Sequence, residues 1–192
     1  YSGAARLQRQ VAYKALAALM ASRQSLGQQD LGHLLDLGCG PGWLQPELGH
    51  KAKRITAIDL SAGMLAQAAS QGLAIDYLLA DAAALPLADN SVDTVFSSLM
   101  LQWCPVPERV FAEVARVLKP GGHFSISDVV LVGALPEALR KDAEMYAGCV
   151  SGAIQKEVYL ELIRLNQFEN IIVQKEKPII IPNDILKNYL SE

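Results

Sequence analysis

The chain has little of what metal centres, disulfide frameworks and polyanion-binding faces are made from. Its 192 residues include three cysteines and three histidines. Cys39, Cys104 and Cys149 are odd in number and lack CxxC spacing, which argues against a disulfide framework and predicts reduced thiols in a cytoplasmic protein. His33, His50 and His123 are scattered without ligand spacing, so no metal is expected. Lys and Arg number 17 against 20 Asp and Glu, a net charge of -3 that gives no footprint for nucleic acid or an anionic membrane. No run approaches the roughly 18 apolar residues of a spanning helix. The N-terminus shows no basic segment leading into an apolar one, as a secretory signal would. Lys175, Lys177 and Lys187 are interleaved with Glu176 and Asp184 and read as a solvated face.

What is present is a core. Hydrophobic residues make up 51% and charged residues 19%, enough for one domain across residues 1–192. Short β-rich runs alternate with helical periods, the pattern of parallel βαβ units. Helical spacing predicts a leading helix from Leu7 to Ser22. Strands are expected at His33–Leu37, Arg54–Asp59, Ile75–Ala80, Val92–Ser98 and His123–Leu131. Helices are expected from about Trp43, after a cap at Ser61, and at Pro107–Leu118, Pro136–Tyr146 and Gln155–Leu165. Lys119-Pro120-Gly121-Gly122 reads as a helix stop and turn, and Phe168–Lys177 as a sixth strand.

The first strand runs into Asp36-Leu37-Gly38-Cys39-Gly40-Pro41-Gly42. Glycines there let the chain bend sharply and let a ligand lie on bare backbone before a helix with unpaired N–H groups. Alone the pattern is weak, since such glycines also serve turn geometry. Asp59, however, ends the second strand, where a doubly wound fold places a carboxylate for ribose hydroxyls. Asp81 follows the third strand, where a carboxylate can accept an adenine amino group beside Ala82. Leu60 and Met64 can sandwich the ring, and Asp36 can orient the loop or meet an ammonium group. Each acid alone is equally a loop acid or a cap; their order along successive strand ends is what favours a cofactor. A NAD-dependent oxidoreductase is the alternative from the fold alone, and the missing third glycine spacing counts against it.

These segments resemble class I S-adenosylmethionine-dependent methyltransferases over nearly the whole chain. LLDLGCGPG looks like the family's first motif, ITAIDLSAGML its second, LLADAAALPLADNSVDTVFSS the third and fourth, and RVLKPGGHFSISD the turn and strand after them. The resemblance implies a Rossmann-like, mostly parallel doubly wound α/β sheet of order 3-2-1-4-5 followed by late strands, of which the last, antiparallel one is not obvious in the sequence. It implies S-adenosyl-L-methionine as cofactor and S-adenosyl-L-homocysteine as product. Cys39, within the glycine turn, would lie against that cofactor, and Ser97 would begin the methyl-side mouth.

Two narrower resemblances diverge. The front, from YSGAARLQRQ through LQWC, is similar to malonyl-acyl-carrier-protein O-methyltransferases of biotin synthesis. It implies substrate-side roles for Tyr1, Gln102 and Trp103, although Trp103 equally suits half-buried packing. The back, including KDAEMYAGCVSGAI and FENIIVQKEKPIIIPNDILKNYL, looks like arsenite methyltransferases, in which Cys149 would offer a thiolate and Cys104 a second. Together they imply a hybrid chain. The expected activity is O-methyl transfer to a carboxylate such as that of a malonyl thioester, small or borne on an acyl carrier protein. The alternatives are arsenite methylation and a cofactor-binding scaffold without turnover. No catalytic acid or base is singled out, because a carboxylate acceptor needs none.

Overall fold

In the computed structural model, residues 2–133 and 152–178 are described. The chain separates into two compact units, Tyr1–Asp128 and Val129–Glu192. In the first, helix α1 (Ser2–Ser25) leads into strand β1 (His33–Leu37), α2 (Gln45–Gly49), β2 (Arg54–Asp59), α3 (Ala62–Ala69) and β3 (Asp76–Leu79). Strand β4 (Val92–Ser98), a single 3-10 turn (Leu101–Trp103), α4 (Pro107–Val117) and β5 (Leu118–Ser127) complete it. The second unit contains α5 (Lys156–Leu165) and a lone parallel bridge between Leu131 and Gln155.

All five strands run parallel in the order β3-β2-β1-β4-β5, as the resemblance implies. The order reverses beside β1, and a doubly wound sheet places its ligand crevice at such a point, outside the carboxyl ends of β1 and β4. Strands β1 and β4 are buried along nearly their whole length, polar residues included, because both faces are covered. On one side Ala12, Leu16 and Leu19 of α1 pack with Leu31, Leu34, Leu48, Ile55 and Phe96. Helix α4 buries Val110, Phe111, Val114 and Val117, with Phe111 edge-on to Phe124 at 6.1 Å. Each fully buried Leu or Phe contributes roughly 1.5–3 kcal/mol.

Several expectations are corrected. The leading helix extends beyond Leu7–Ser22 at both ends, and α2 begins at Gln45, with Pro46 in its first turn. Lys119–Gly122 does not separate helix from strand but is an excursion within β5. Leu118 stands opposite Val92 and His123 opposite Thr94, so four residues loop out where β4 supplies only Asp93. Phe168–Lys177 is not a strand among the described residues, despite Ile171, Ile172 and Val173. β-Branched side chains favour a pleated surface only when a partner ladder receives them. Pro136–Tyr146 lies outside the described residues.

Candidate functional site

The crevice is built by hooking one strand end onto the next. Gly38 and Cys39 both donate from the backbone to Ile58 O, at 2.8 and 3.0 Å. That fixes the turn after β1 against the tip of β2. Asp59 then locks it: Oδ2 accepts from Gly40 N at 2.8 Å and Oδ1 from Ser61 N at 2.9 Å. Ser61 caps α3 by accepting from Met64 N. The end of β3 joins through Ala80 N, which donates to Asp59 O. Asp81 is exposed and closes its own turn by accepting from Ala83 N at 2.9 Å, with Ala82 half-buried beside it.

The three turn glycines do different things, although all have positive φ. A Cβ on Gly38 would collide with Met100 Cγ, and one on Gly42 would meet Gln45 Oε1 at 2.5 Å and Gln71 Nε2 at 2.8 Å. Their missing side chains therefore make room for the protein. At Gly40 a Cβ would meet nothing within 4 Å, so its backbone is left open. Gln71 ties the turn down through both amide hydrogens, to Pro41 O and Gly42 O at 3.0 Å. The Tyr77 hydroxyl, from β3, bonds Gln45 Oε1 at 2.7 Å. Sequence reasoning missed this Gln45–Gln71–Tyr77 brace, since amides and a tyrosine on separate elements carry no spacing signal.

Electrostatically the crevice is acidic at its floor. Asp36 is buried, and burial pushes its carboxyl up to about 7; the Gln45 amide partly offsets this and the charge of Asp59 adds to it. Cys39 is pushed well above the usual thiol range by burial, then by Asp36 and Asp59. Around the rim stand apolar side chains left in water: Leu60 is 73% exposed and Leu79 61%, with Met64 nearby on α3. Leu79 was not anticipated, because a strand's last residue is exposed or buried according to what lies beyond it. Adjacent exposed apolar groups over an acidic pocket suit a flat, polar-edged ring.

On the other side of β1, Ser97 is fully buried near the end of β4, and its Oγ has no partner among the described residues. Leu99 takes a left-handed φ of 56°, turning the chain into the 3-10 turn. Asp128 holds that turn by accepting from Met100 N at 3.0 Å and Leu101 N at 3.4 Å. Gln102 is buried, donates to Leu99 O and leaves Oε1 unpartnered among the described residues; Trp103 is 45% exposed. Cys104 is half-buried against Met100, and burial, with Asp128 and Asp81, pushes its thiol up to about 11. Tyr1 and Cys149 lie outside the described residues. Among the described residues no group of three or more His, Cys, Asp or Glu is placed to hold a metal ion, and no helix is long and apolar enough to cross a membrane.

A five-stranded parallel sheet of this order, with a glycine turn after β1 and a carboxylate at the tip of β2, defines a Rossmann-like class I methyltransferase domain. Residues 35–126 match the model of the "Methyltransferase domain" family. A malonyl-[acyl-carrier protein] O-methyltransferase of Yersinia pestis is 42% identical over 138 residues, which are 71% of this chain and 48% of that protein. The chain spans about half the length of the curated relatives it matches. Among solved structures, an arsenic(III) S-adenosylmethionine methyltransferase of Chlamydomonas reinhardtii is similar with a TM-score of 0.64 at 26% identity, over 72% of this chain and 52% of that one. A phosphoethanolamine N-methyltransferase 2 of Haemonchus contortus, in complex with S-adenosyl-L-methionine, gives 0.68 at 26% identity, over 82% of this chain and 37% of that one.

Proposed function

We propose that the crevice binds S-adenosyl-L-methionine and that the chain transfers its methyl group to the carboxylate of a malonyl thioester borne on an acyl carrier protein. The observation that carries the cofactor assignment is the Asp59 carboxylate, anchored through Gly40 and Ser61 and flanked by exposed Leu60, Met64 and Leu79. Its remaining lone pairs suit two ribose hydroxyls, and Asp81 with Ala82 suits the adenine edge. Buried Asp36 suits the ammonium of the amino-acid tail, which runs over Gly40 between Gly38 and Gly42. Cys39 forms part of the wall, and Ser97 offers an unsatisfied hydroxyl towards the methyl side. When bound, the cofactor supplies an electrophilic methyl group on a sulfonium.

An acceptor carboxylate is already nucleophilic, so the residues need only align it and exclude water. Gln102 and Trp103, in the turn shaped by Leu99 and Asp128, are proposed to line that approach, and a substrate-side role for Tyr1 rests on the resemblance alone. The similarity to malonyl-[acyl-carrier protein] O-methyltransferases supports this acceptor. The thiolate chemistry of arsenite methylation is less well supported: Cys104 is half-buried against Met100, and burial raises its thiol above the usual range. Free Cys39 and Cys104 accord with a cytoplasmic setting. The test is isothermal titration with S-adenosyl-L-homocysteine, followed by transfer of labelled methyl to malonyl-acyl carrier protein. Binding with transfer supports the full reading. Binding without transfer to that acceptor or to arsenite leaves a scaffold, and no binding sinks the assignment.

A further inference from the structure

At the opposite end of the sheet, where β1, β2 and β4 begin, lies a cleft of about 500 Å³ lined by Arg23, Asp30, His33, Lys53, Arg54 and Asp93. Arg23 is the anomaly there. It continues the buried stripe of α1 (Ala12, Leu16, Leu19), so helical periodicity carries a guanidinium into a core position. It is only 7% exposed, and its Nε has no partner among the described residues. Among the described residues its guanidinium makes one hydrogen bond, from Nη2 to the Asp30 carbonyl at 3.5 Å. Buried charges are ordinarily paired, because an unpaired one forfeits its hydration.

The nearby carboxylates are committed elsewhere. Asp93 accepts from His33 N and from Lys119 Nζ, each at 2.8 Å. Asp30 accepts from Gly32 N and pairs with Lys53 at 3.3 Å. Arg54 is paired with Asp76 at 2.8 Å, and both ring nitrogens of His33 are bonded, to Ser91 O and Thr56 Oγ1. With these pairs counted, one positive charge in the cleft is left over. It belongs to the residue whose planar fork best matches an oxyanion. We infer that the cleft is a second binding site, separate from the crevice, for a small oxyanion, a carboxylate or phosphate, held by Arg23.

The test is a two-dimensional amide spectrum of the chain titrated with inorganic phosphate and, separately, with succinate, at ionic strength fixed with chloride. The expected result is saturable shifts at Gly32, His33 and Asp30, unchanged when S-adenosyl-L-homocysteine is present. The stronger of the two titrants identifies the ligand class. In Arg23→Met the affinity falls about tenfold or more, and Arg23→Lys recovers only part of it. Should the methionine variant not fold, the titration of the unaltered chain decides alone. Shifts equal to those in chloride, shifts scattered over the surface, or shifts abolished by S-adenosyl-L-homocysteine would each overturn the site.

Discussion

The carboxylate of Asp59 binds the backbone N–H of Gly40 at 2.8 Å, joining the end of β2 to the open point of the glycine turn. One side chain therefore shapes the turn and presents its remaining lone pairs to a ligand. Asp59→Ala removes both functions, and S-adenosyl-L-homocysteine affinity should fall at least about a hundredfold, roughly 2.7 kcal/mol. Asp59→Asn, which keeps one acceptor oxygen, should lose less. Titration calorimetry on the pair decides; equal affinity in the parent and the alanine variant would remove Asp59 from the site.

Asp36 should couple protons to stability. Its folded-state value of about 7 lies above the unfolded value, so the folded protein holds a proton that the unfolded chain releases above about pH 4. The contribution of this group to unfolding free energy therefore falls as pH rises from about 4 to 7, then levels off. Asp36→Asn should flatten that slope and be the more stable variant at about pH 8, while binding S-adenosyl-L-homocysteine poorly. Urea unfolding at about pH 5 and about pH 8 checks it; an unchanged slope in the variant would assign the proton elsewhere.

Gly38 and Gly40 should answer differently to alanine. Gly38→Ala meets Met100 in addition to its unfavourable φ of 71°, so about 2–4 kcal/mol of stability should be lost. Adding Met100→Ala should restore part of this. Gly40→Ala has no clash and should cost only about 1–2 kcal/mol, but it should obstruct the ligand. Thermal unfolding of the singles and the double, with calorimetric binding alongside, separates the effects. A fully additive Gly38/Met100 cycle would contradict the contact.

Arg116 uses all five of its N–H groups: on Glu113 Oε1 and Oε2, Leu85 O, Leu87 O and Asp89 Oδ1. Glu113 in turn accepts from Leu85 N at 2.7 Å, so the segment that follows Asp81 is clasped to α4. Arg116→Met should cost about 1–3 kcal/mol, with Arg116→Lys barely better because an ammonium cannot span the fork. Hydrogen exchange should rise at Leu85 in both variants; protection equal to the parent's would show that the clasp is dispensable.

The parallel sheet and the crevice acids were legible because their signals are local. An apolar run between turn residues marks a buried strand, and Asp36, Asp59 and Asp81 are each fixed by position at a strand end. What escaped was set by pairing across the chain. The missing strand at Phe168–Lys177 depends on a ladder, which composition does not reveal. Arg23 reads as an ordinary charged helix residue until the stripe through Leu16 and Leu19 shows which way it faces. Leu79 gains its role from standing exposed at a strand tip, and Met100 from the turn that sets it against Gly38.

Two of the three turn glycines give up their side chains to Met100, Gln45 and Gln71, and only Gly40 leaves its space open. The glycine signature is thus chiefly a carpentry joint, cut so that a strand, a helix and a neighbouring loop fit. A descendant that ceased to bind any nucleoside would still be forced to keep Gly38 and Gly42. In such lineages drift at position 40, rather than decay of the whole motif, would be the first visible trace of the lost ligand.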